Sequence, residues 1–339
     1  MNNNIAYKKL ENIQPIPAPA KIEQQQYSTI RQGTSTNALT KFRAITGKTA
    51  TIDSVTGTAT IKQGNFTLTI PNYEQLTGLK TSTYQLLDAI TVALTESGAK
   101  SPTVILPLAE YMKRRGLRDR KEAKNQAKGD MEILRQASFT WEEKRNGNTN
   151  AFTFVNLADS GEIRRNGDIV FTYGNTFYNV LLSYPVMPYP SQLQTLNSKR
   201  NPNSYYFLRK IAEHKNMNVG KKNEDIIAVK TLLSVAPHIP TYEEVMQTSR
   251  ALTRQIIEPF ERDLDALEET LSWTYCHSNN TPLTDEELAT LSYDTFKGLL
   301  IHTEWKDYPD QTARLHRKAE LIEQSKAKTK GKSKKVKTG

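Results

Sequence analysis

Asp130-Met-Glu-Ile-Leu134 closes a stretch rich in lysine and arginine, and six residues separate it from Trp141. Further on the chain reads Asp263-Leu-Asp-Ala-Leu267, with five residues before Trp273. In both places a basic amphipathic stretch runs into an acidic-apolar segment and then into strand-forming residues opened by tryptophan. A unit that occurs twice in one chain speaks of architecture before it speaks of function. Helices, then a basic helix, then a hairpin is the order of a winged helix-turn-helix. The expected fold class is therefore α+β, with two tandem winged helix-turn-helix domains.

Upstream of the first copy, Ile61, Phe66, Leu68 and Ile70 alternate in strand fashion around the turn Gln63-Gly-Asn65. Ser82 or Thr83 can cap a helix on which Leu86, Ala89, Ile90 and Ala93 share a face, with Gly98 beyond its end. A second helix follows Pro107 and ends in Lys113-Arg-Arg-Gly116. The third has a capping-box signature, Asp119 with Glu122 three residues on. Ala123, Ala127, Met131 and Leu134 form its apolar face; Arg118, Lys121, Asn125 and Lys128 form the opposite one. Two Asn-Gly pairs, Asn146-Gly147 and Asn166-Gly167, predict two-residue hairpin turns, the second beside Arg164 and Arg165. Thr176 to Leu182 fits either a strand or a short helix.

Pro185, Pro188, Pro190 and Pro202 mark a stiff, non-helical connection. The second unit is then expected to hold a helix from Ser204 through Ile211, another from Glu224 through Val235, and a long one opened by Thr241 and Glu244, a further capping box. Leu252, Ile256, Phe260, Leu264 and Leu267 supply that long helix with a core face, Gln247, Arg250, Thr253 and Arg254 with an outer one, and Pro259 with a kink. Leu271 to Tyr275 and the segment ending at Trp305 would make the second wing. The implied domains are an arm at 1–54, extended or without fixed structure, a first winged helix at 55–183, a linker at 184–202, a second winged helix at 203–311 and a basic tail at 312–339.

The chain has 339 residues and a net charge of +10, of which the tail carries +8. Any basic surface on the folded part must come from local clustering. One cysteine, Cys276, excludes an intramolecular disulfide and suits a reducing cytosol. No apolar run of spanning length and no signal-peptide layout is present, so the expected setting is cytoplasmic with no membrane partner. Gly47-Lys48-Thr49 ends like a phosphate-binding loop, but Phe42 stands where the loop needs its first glycine. The five histidines form no metal-binding pair. No catalytic residue, metal site or cofactor is expected, and the chain is read as a non-enzyme.

The positive outer faces point to double-stranded DNA, because the major groove admits one α-helix whose Arg, Gln and Asn side chains can pair with base edges. Arg250 and Arg254 suit base readout, Arg118, Lys121 and Lys128 suit phosphates, and Arg164 and Arg165 suit the backbone or minor groove.

Met187-Pro-Tyr-Pro190, Asn201-Pro-Asn-Ser-Tyr-Tyr-Phe-Leu-Arg-Lys-Ile211 and Ile257-Glu-Pro-Phe-Glu-Arg-Asp-Leu-Asp-Ala-Leu267 resemble the tandem winged-helix replication initiators of theta-replicating bacterial plasmids. The resemblance covers about 55–310 and is strongest in 200–270. It implies a long helix, carrying Arg250 and Arg254 ahead of Pro259, that enters the major groove of origin direct repeats. It also implies a monomer–dimer equilibrium through the first domain and recruitment of a host initiator and a replicative helicase. The polar segment Ser278 to Glu287 departs from that pattern. A winged-helix transcriptional or partition regulator is the alternative, and a rolling-circle replication enzyme, lacking its nickase motif, stands third.

Overall fold

The computed structural model describes residues 26–33, 51–63, 66–70, 80–145 and 148–312. It divides into two compact units, Met1–Tyr206 with Val235–His238 and Phe207–Ser234 with Ile239–Gly339.

In the first unit the elements are β1 (Tyr27–Arg31), β2 (Thr51–Asp53), β3 (Thr58–Gln63), β4 (Phe66–Ile70), α1 (Thr81–Glu96), β5 (Thr103–Leu106), α2 (Leu108–Arg115), α3 (Arg120–Gln136), β6 (Ser138–Arg145), β7 (Asn148–Asn156), β8 (Ala158–Ile163), β9 (Ile169–Tyr173), α4 (Asn175–Ser183), β10 (Val186–Pro190), α5 (Gln192–Thr195) and the start of α6 (Ser204–Asn218). Three antiparallel sheets result, ordered β1-β10, β5-β9-β8 and β2-β3-β4-β6-β7. Helix α1 is the centre of this unit: Leu86, Ala89, Ile90 and Val92 have no exposed surface, as expected of a helix that is covered all round. Strand β5 and helices α2 and α3 pack on it, and their Leu106, Leu108, Tyr111, Ala123, Ala127 and Leu134 are all buried. Fully burying a leucine or isoleucine contributes on the order of 2 kcal/mol, so this packing sets how α2 and α3 are held.

The second unit continues along α6 into β11 (Ile226–Ala228), α7 (Val229–Leu233), α8 (Tyr242–Thr248), a π-helical segment Thr253–Ile257 that runs into α9 (Glu258–Asp265), β12 (Leu271–Cys276), α10 (Asp285–Ala289), α11 (Tyr293–Phe296) and β13 (Leu300–Trp305). Its sheet is ordered β11-β13-β12. Phe260 sits between Phe207 and Phe296, with ring centroids 5.1 and 5.2 Å away.

One order of elements occurs in both units. A helix (α1 or α6) leads to a strand (β5 or β11), a short helix (α2 or α8), a turn, a longer helix (α3, or the π segment with α9) and two strands (β8-β9 or β12-β13), with β6-β7 inserted in the first unit and α7, α10 and α11 in the second. In each three-stranded sheet the first strand pairs with the last, which pairs with the middle one.

Several expectations need correction. Of the arm, expected to be extended or without fixed structure, Tyr27–Arg31 is extended and paired: β1 lies in register with β10, Ile30 opposite Met187, and Ile30 is buried. Arg31 fixes the pairing by donating from Nη1 to the carbonyls of Leu182 at 2.7 Å and Tyr184 at 3.1 Å. The stretch 184–202, expected to be a stiff linker, does hold an extended proline-bearing segment, β10, but it lies inside the first unit, and the division between units falls within α6. Thr176 to Leu182, which fits either a strand or a short helix by sequence, is helical, in α4. The expected helix from Glu224 to Val235 is a strand followed by a single helical turn or so, since Ile226 and Ile227 pair with β13. Trp141 and Trp273 are not equivalent. Trp273 lies in β12, the strand after the second unit's longer helix, whereas Trp141 lies in β6, which pairs with β4 in the five-stranded sheet. The hairpin β6-β7 is thus interposed between α3 and β8. The turn at Asn146-Gly147, Gly47-Lys48-Thr49 and the tail from Ala313 lie outside the described residues.

Candidate nucleic-acid interface

In the first unit Gly116 ends α2 with φ 63°, a left-handed conformation that glycine adopts without strain. Asp119 then caps α3, accepting the Glu122 amide at 2.6 Å. Ala123, Ala127, Met131 and Leu134 are buried as their spacing predicts. Lys121, Asn125 and Lys128 are exposed on α3, and Arg118 is exposed in the turn before the cap rather than on the helix itself. None of these four side chains makes a hydrogen bond or ion pair among the described residues.

Other cations nearby are engaged within the protein. Arg114 donates to Glu110 at 2.5 Å and reaches Glu96 at 3.0 Å, and Glu110 and Glu96 hold its guanidinium in the charged form against the burial that opposes it. Arg115 lies over the Tyr111 ring, 5.8 Å from its centroid. Burial pushes the Tyr111 phenol up to about 12.

The motif aspartate Asp130 is buried at 3% exposure. Its Oδ1 accepts from Ser82 at 2.9 Å and Thr83 at 2.7 Å. The sequence assigns these two hydroxyls to the cap of α1; the residue before α1 is Lys80, with no side-chain cap, and the hydroxyls fasten α1 to α3 instead. Burial raises the Asp130 carboxyl above its ordinary value, and the Thr83 and Ser82 hydrogen bonds oppose that rise. In the second copy of the motif Asp263 is buried too, 2.8 Å from Arg262.

The tip of the β8-β9 hairpin lies against α3. The predicted two-residue turn at Asn166-Gly167 is instead a three-residue loop, Arg165-Asn166-Gly167, in which Arg165 and Asn166 are the central pair of the turn: the Gly167 amide donates to the Arg164 carbonyl at 2.8 Å and the Arg164 amide to the Asp168 carbonyl at 2.9 Å. Gly167 takes φ 98°. Arg165 is exposed, and Arg164, half-buried, stands 3.9 Å from Glu162. Arg120 donates to the Asn166 carbonyl, and Lys124 Nζ to the Arg165 carbonyl at 3.3 Å.

In the second unit Thr241 and Glu244 form the expected capping box, but α8 stops at Thr248. Arg250 follows with φ 57°. The long helix foreseen from Thr241 is therefore two helices, and Arg250 occupies the bend between them rather than a place one turn before Arg254. Thr248 and Ser249 explain the break, because hydroxyl side chains offer the backbone competing bonds. Ser249 Oγ accepts the Ala251 amide at 3.3 Å and Gln255 Nε2 at 2.5 Å. At Pro259, where a kink is expected, the helix carries a π segment just ahead of the proline. The Glu258 amide bonds back five residues to Thr253, and proline supplies no amide at the next position. Ile256, Phe260, Leu264 and Leu267 are buried, while Gln247, Arg250, Thr253 and Arg254 are all exposed and gather around the bend and the first turn after it.

The second hairpin is interrupted. Between β12 and β13 lie α10 and α11, and Tyr293 of α11 stacks on Tyr242 of α8 at 5.1 Å. His277 contacts Glu287 at 3.2 Å. Among the described residues no group of three histidine, cysteine, aspartate or glutamate side chains could hold a metal ion, and no helix is long and apolar enough to cross a membrane. Sequence reasoning missed Arg120 and Lys124 because their partners lie 46 and 41 residues away. The polar run Gln247-Thr-Ser-Arg250 was the signal for the bend.

No family model and no curated protein matches the sequence. Solved structures similar to it include domains 2 and 3 of RctB in a selenomethionine derivative, at 12% identity, covering 63% of this chain and 85% of that one with a TM-score of 0.36. A second structure of RctB domains 2–3 covers 66% of this chain and 76% of that one at 10% identity, TM-score 0.34. The WH1 domain of MSBI1.176, a replication protein isolated from a multiple sclerosis patient, covers 34% of this chain and 86% of that one at 11% identity, TM-score 0.26.

Proposed function

We propose that both units are winged helix-turn-helix domains that read double-stranded DNA, and that the chain starts replication of a plasmid or other mobile element by binding repeated sites at its origin. The observation that carries this reading is the element order common to both units. In each, a turn with a left-handed residue precedes an amphipathic helix whose exposed side is polar, cationic in the first unit and in the second carrying Arg254 near its start and a mixture of Glu258, Arg262 and Asp265 beyond it. Such a helix fits the major groove, where Arg and Asn side chains can pair with guanine and adenine edges. The origin, its direct repeats, dimerisation through the first unit and recruitment of a host initiator and helicase rest on the resemblance of 187–267 to plasmid initiators. The chain acts in this reading by binding, without a catalytic step of its own.

Footprinting on DNA that flanks the chain's own gene tests it. The expected result is protection of repeated sites, each about 20 base pairs or two helical turns long, and maintenance of a plasmid carrying those repeats when the protein is supplied. Protection confined to a promoter, with no plasmid maintained, would favour a regulator. Nicked circles carrying a covalent protein adduct would overturn the binding reading.

A further inference from the structure

The polar residues along the first half of α3 divide into two groups. Lys121, Asn125 and Lys128 are exposed and make no side-chain bond among the described residues. Arg120 and Lys124 instead reach across to the hairpin tip and donate to two successive backbone carbonyls, those of Asn166 and Arg165. The tip is built to receive them. Asn166 Oδ1 accepts the Asp168 amide at 3.1 Å, and its Nδ2 donates to Asp168 Oδ2 at 2.8 Å. Gly167 is buried, and a Cβ there would come within 2.7 Å of Leu108 Cδ2 and of Lys124 Cε. The absence of a side chain is what lets the tip rest on the start of α2 and on the lysine stem.

We infer that Arg120 and Lys124 are positioning residues that clamp the hairpin tip to α3, so that Arg165 and Arg164 stand beside Lys121 and Lys128 as one rigid cationic surface for the DNA backbone. This rests on the DNA-binding reading above. A tip held in advance loses less conformational entropy when it meets a phosphate, and each immobilised flexible side chain or loop otherwise lowers affinity. Two backbone carbonyls, each accepting from a charged donor, are stronger anchors than neutral hydrogen bonds.

The test uses the full chain and a labelled random-sequence duplex of about 30 base pairs, long enough for two turns and flanks. Arg165→Ala should make the dependence of affinity on salt shallower by about one counterion. The double variant Arg120→Gln/Lys124→Met should lower the slope by a similar amount, and adding Arg165→Ala to it should change little further. Gly167→Ala, which removes no charge, should behave like Arg165→Ala. Without DNA, the amides of Arg164 and Gly167 should exchange with deuterium faster in the double variant than in the wild type. Losses that add up residue by residue, a wild-type slope for Gly167→Ala, or unchanged amide exchange would each overturn the clamp and make Arg120 and Lys124 ordinary phosphate contacts. Failure of the wild type to bind any duplex would overturn the DNA reading together with this one, whereas binding with additive losses overturns the clamp alone.

Discussion

Gly116 and Arg250 occupy the same place in their units, the left-handed residue between the short helix and the longer one, at φ 63° and 57°. One is a glycine with open space around it; the other is an exposed arginine. A side-chain-bearing residue in this conformation costs roughly 1–2 kcal/mol, so the second unit tolerates at its bend a strain that the first avoids. The charge balance around them also differs. From Pro107 to Gln136 there are nine lysines and arginines against five carboxylates, and from Thr241 to Leu267 three against six. On the reading proposed above, the first unit would therefore be the stronger electrostatic anchor for a polyanion. The second, if it reads DNA, must do so through a few well-placed groups near its bend: Gln247, Arg250, Thr253 and Arg254.

That contrast breaks most visibly under salt. Replacing Arg118, Lys121 and Lys128 together by alanine should weaken binding to every duplex alike and make the salt slope shallower by roughly 2.7, about 0.9 for each phosphate no longer neutralised. Titrations on cognate and random DNA between low and moderate salt would check it. A change in preference with no change in slope would mean that α3 reads bases and that the units divide their work the other way round.

Arg254→Ala should have the next largest effect, about 1–3 kcal/mol on the cognate site, with relaxed choice at one base position and little change on random DNA. The fold should be unaffected, because Arg254 is exposed and the core face of Ile256 and Phe260 lies on the other side. Comparing cognate sites substituted one base pair at a time locates the position. Equal losses on all sequences would reduce Arg254 to a phosphate contact.

The two bends sharpen the comparison further. Gly116→Ala should destabilise the first unit by about 1 kcal/mol, purely through backbone conformation, since a Cβ there meets nothing within 4 Å. Arg250→Gly should do the reverse, stabilising by about 1 kcal/mol while weakening DNA binding. Denaturant midpoints and DNA titrations on the same preparations measure both. If Arg250→Gly left affinity intact, the arginine would have no part in binding and the strain would lack a functional reason.

Much of this arrangement is legible in the sequence where the signal is local. Asp119 before Glu122 and Thr241 before Glu244 mark helix starts because capping is a short-range hydrogen bond, and the periodicity of Ala123 to Leu134 marks the buried face of α3. What escapes is set by distance or by competition. The pairing of Tyr27–Arg31 with Val186–Pro190 joins segments about 160 residues apart, and neither stretch announces its partner. Trp141 looks like Trp273 because both follow the same kind of helix, and only the pairing of β6 with β4 tells them apart. Apolar spacing continues across the bend and so puts Arg250 on a helix face, although its hydroxyl-bearing neighbours already weaken the helix there. Among the candidate DNA contacts, the exposure of Lys121, Asn125, Lys128 and Arg254 follows from spacing alone. The engagement of Arg114 and Arg115 within the fold does not, since their partners are revealed only by packing.

The smallest expected effect concerns the motif aspartate. Asp130 is a buried carboxyl on α3 that accepts two hydroxyl hydrogen bonds from α1, and burial raises its pKa above the ordinary 3.8. A carboxyl raised by folding contributes stability that is fully present below the unfolded value and is lost as pH rises through the folded one. The wild type should therefore lose stability over a window that opens near pH 3.8 and closes above the raised value. Asp130→Asn keeps an oxygen to accept from Ser82 and Thr83 but cannot ionise, so it should lack that component of the pH dependence. Urea midpoints of the two proteins measured across acidic and neutral pH should diverge through the window and then run parallel, with the asparagine variant gaining relative to the wild type as pH rises. A divergence of the opposite sign would mean that the charged Arg115 and Lys80 nearby outweigh burial, and that Asp130 joins α1 to α3 as an ion rather than as a hydrogen-bond acceptor held against its own solvation.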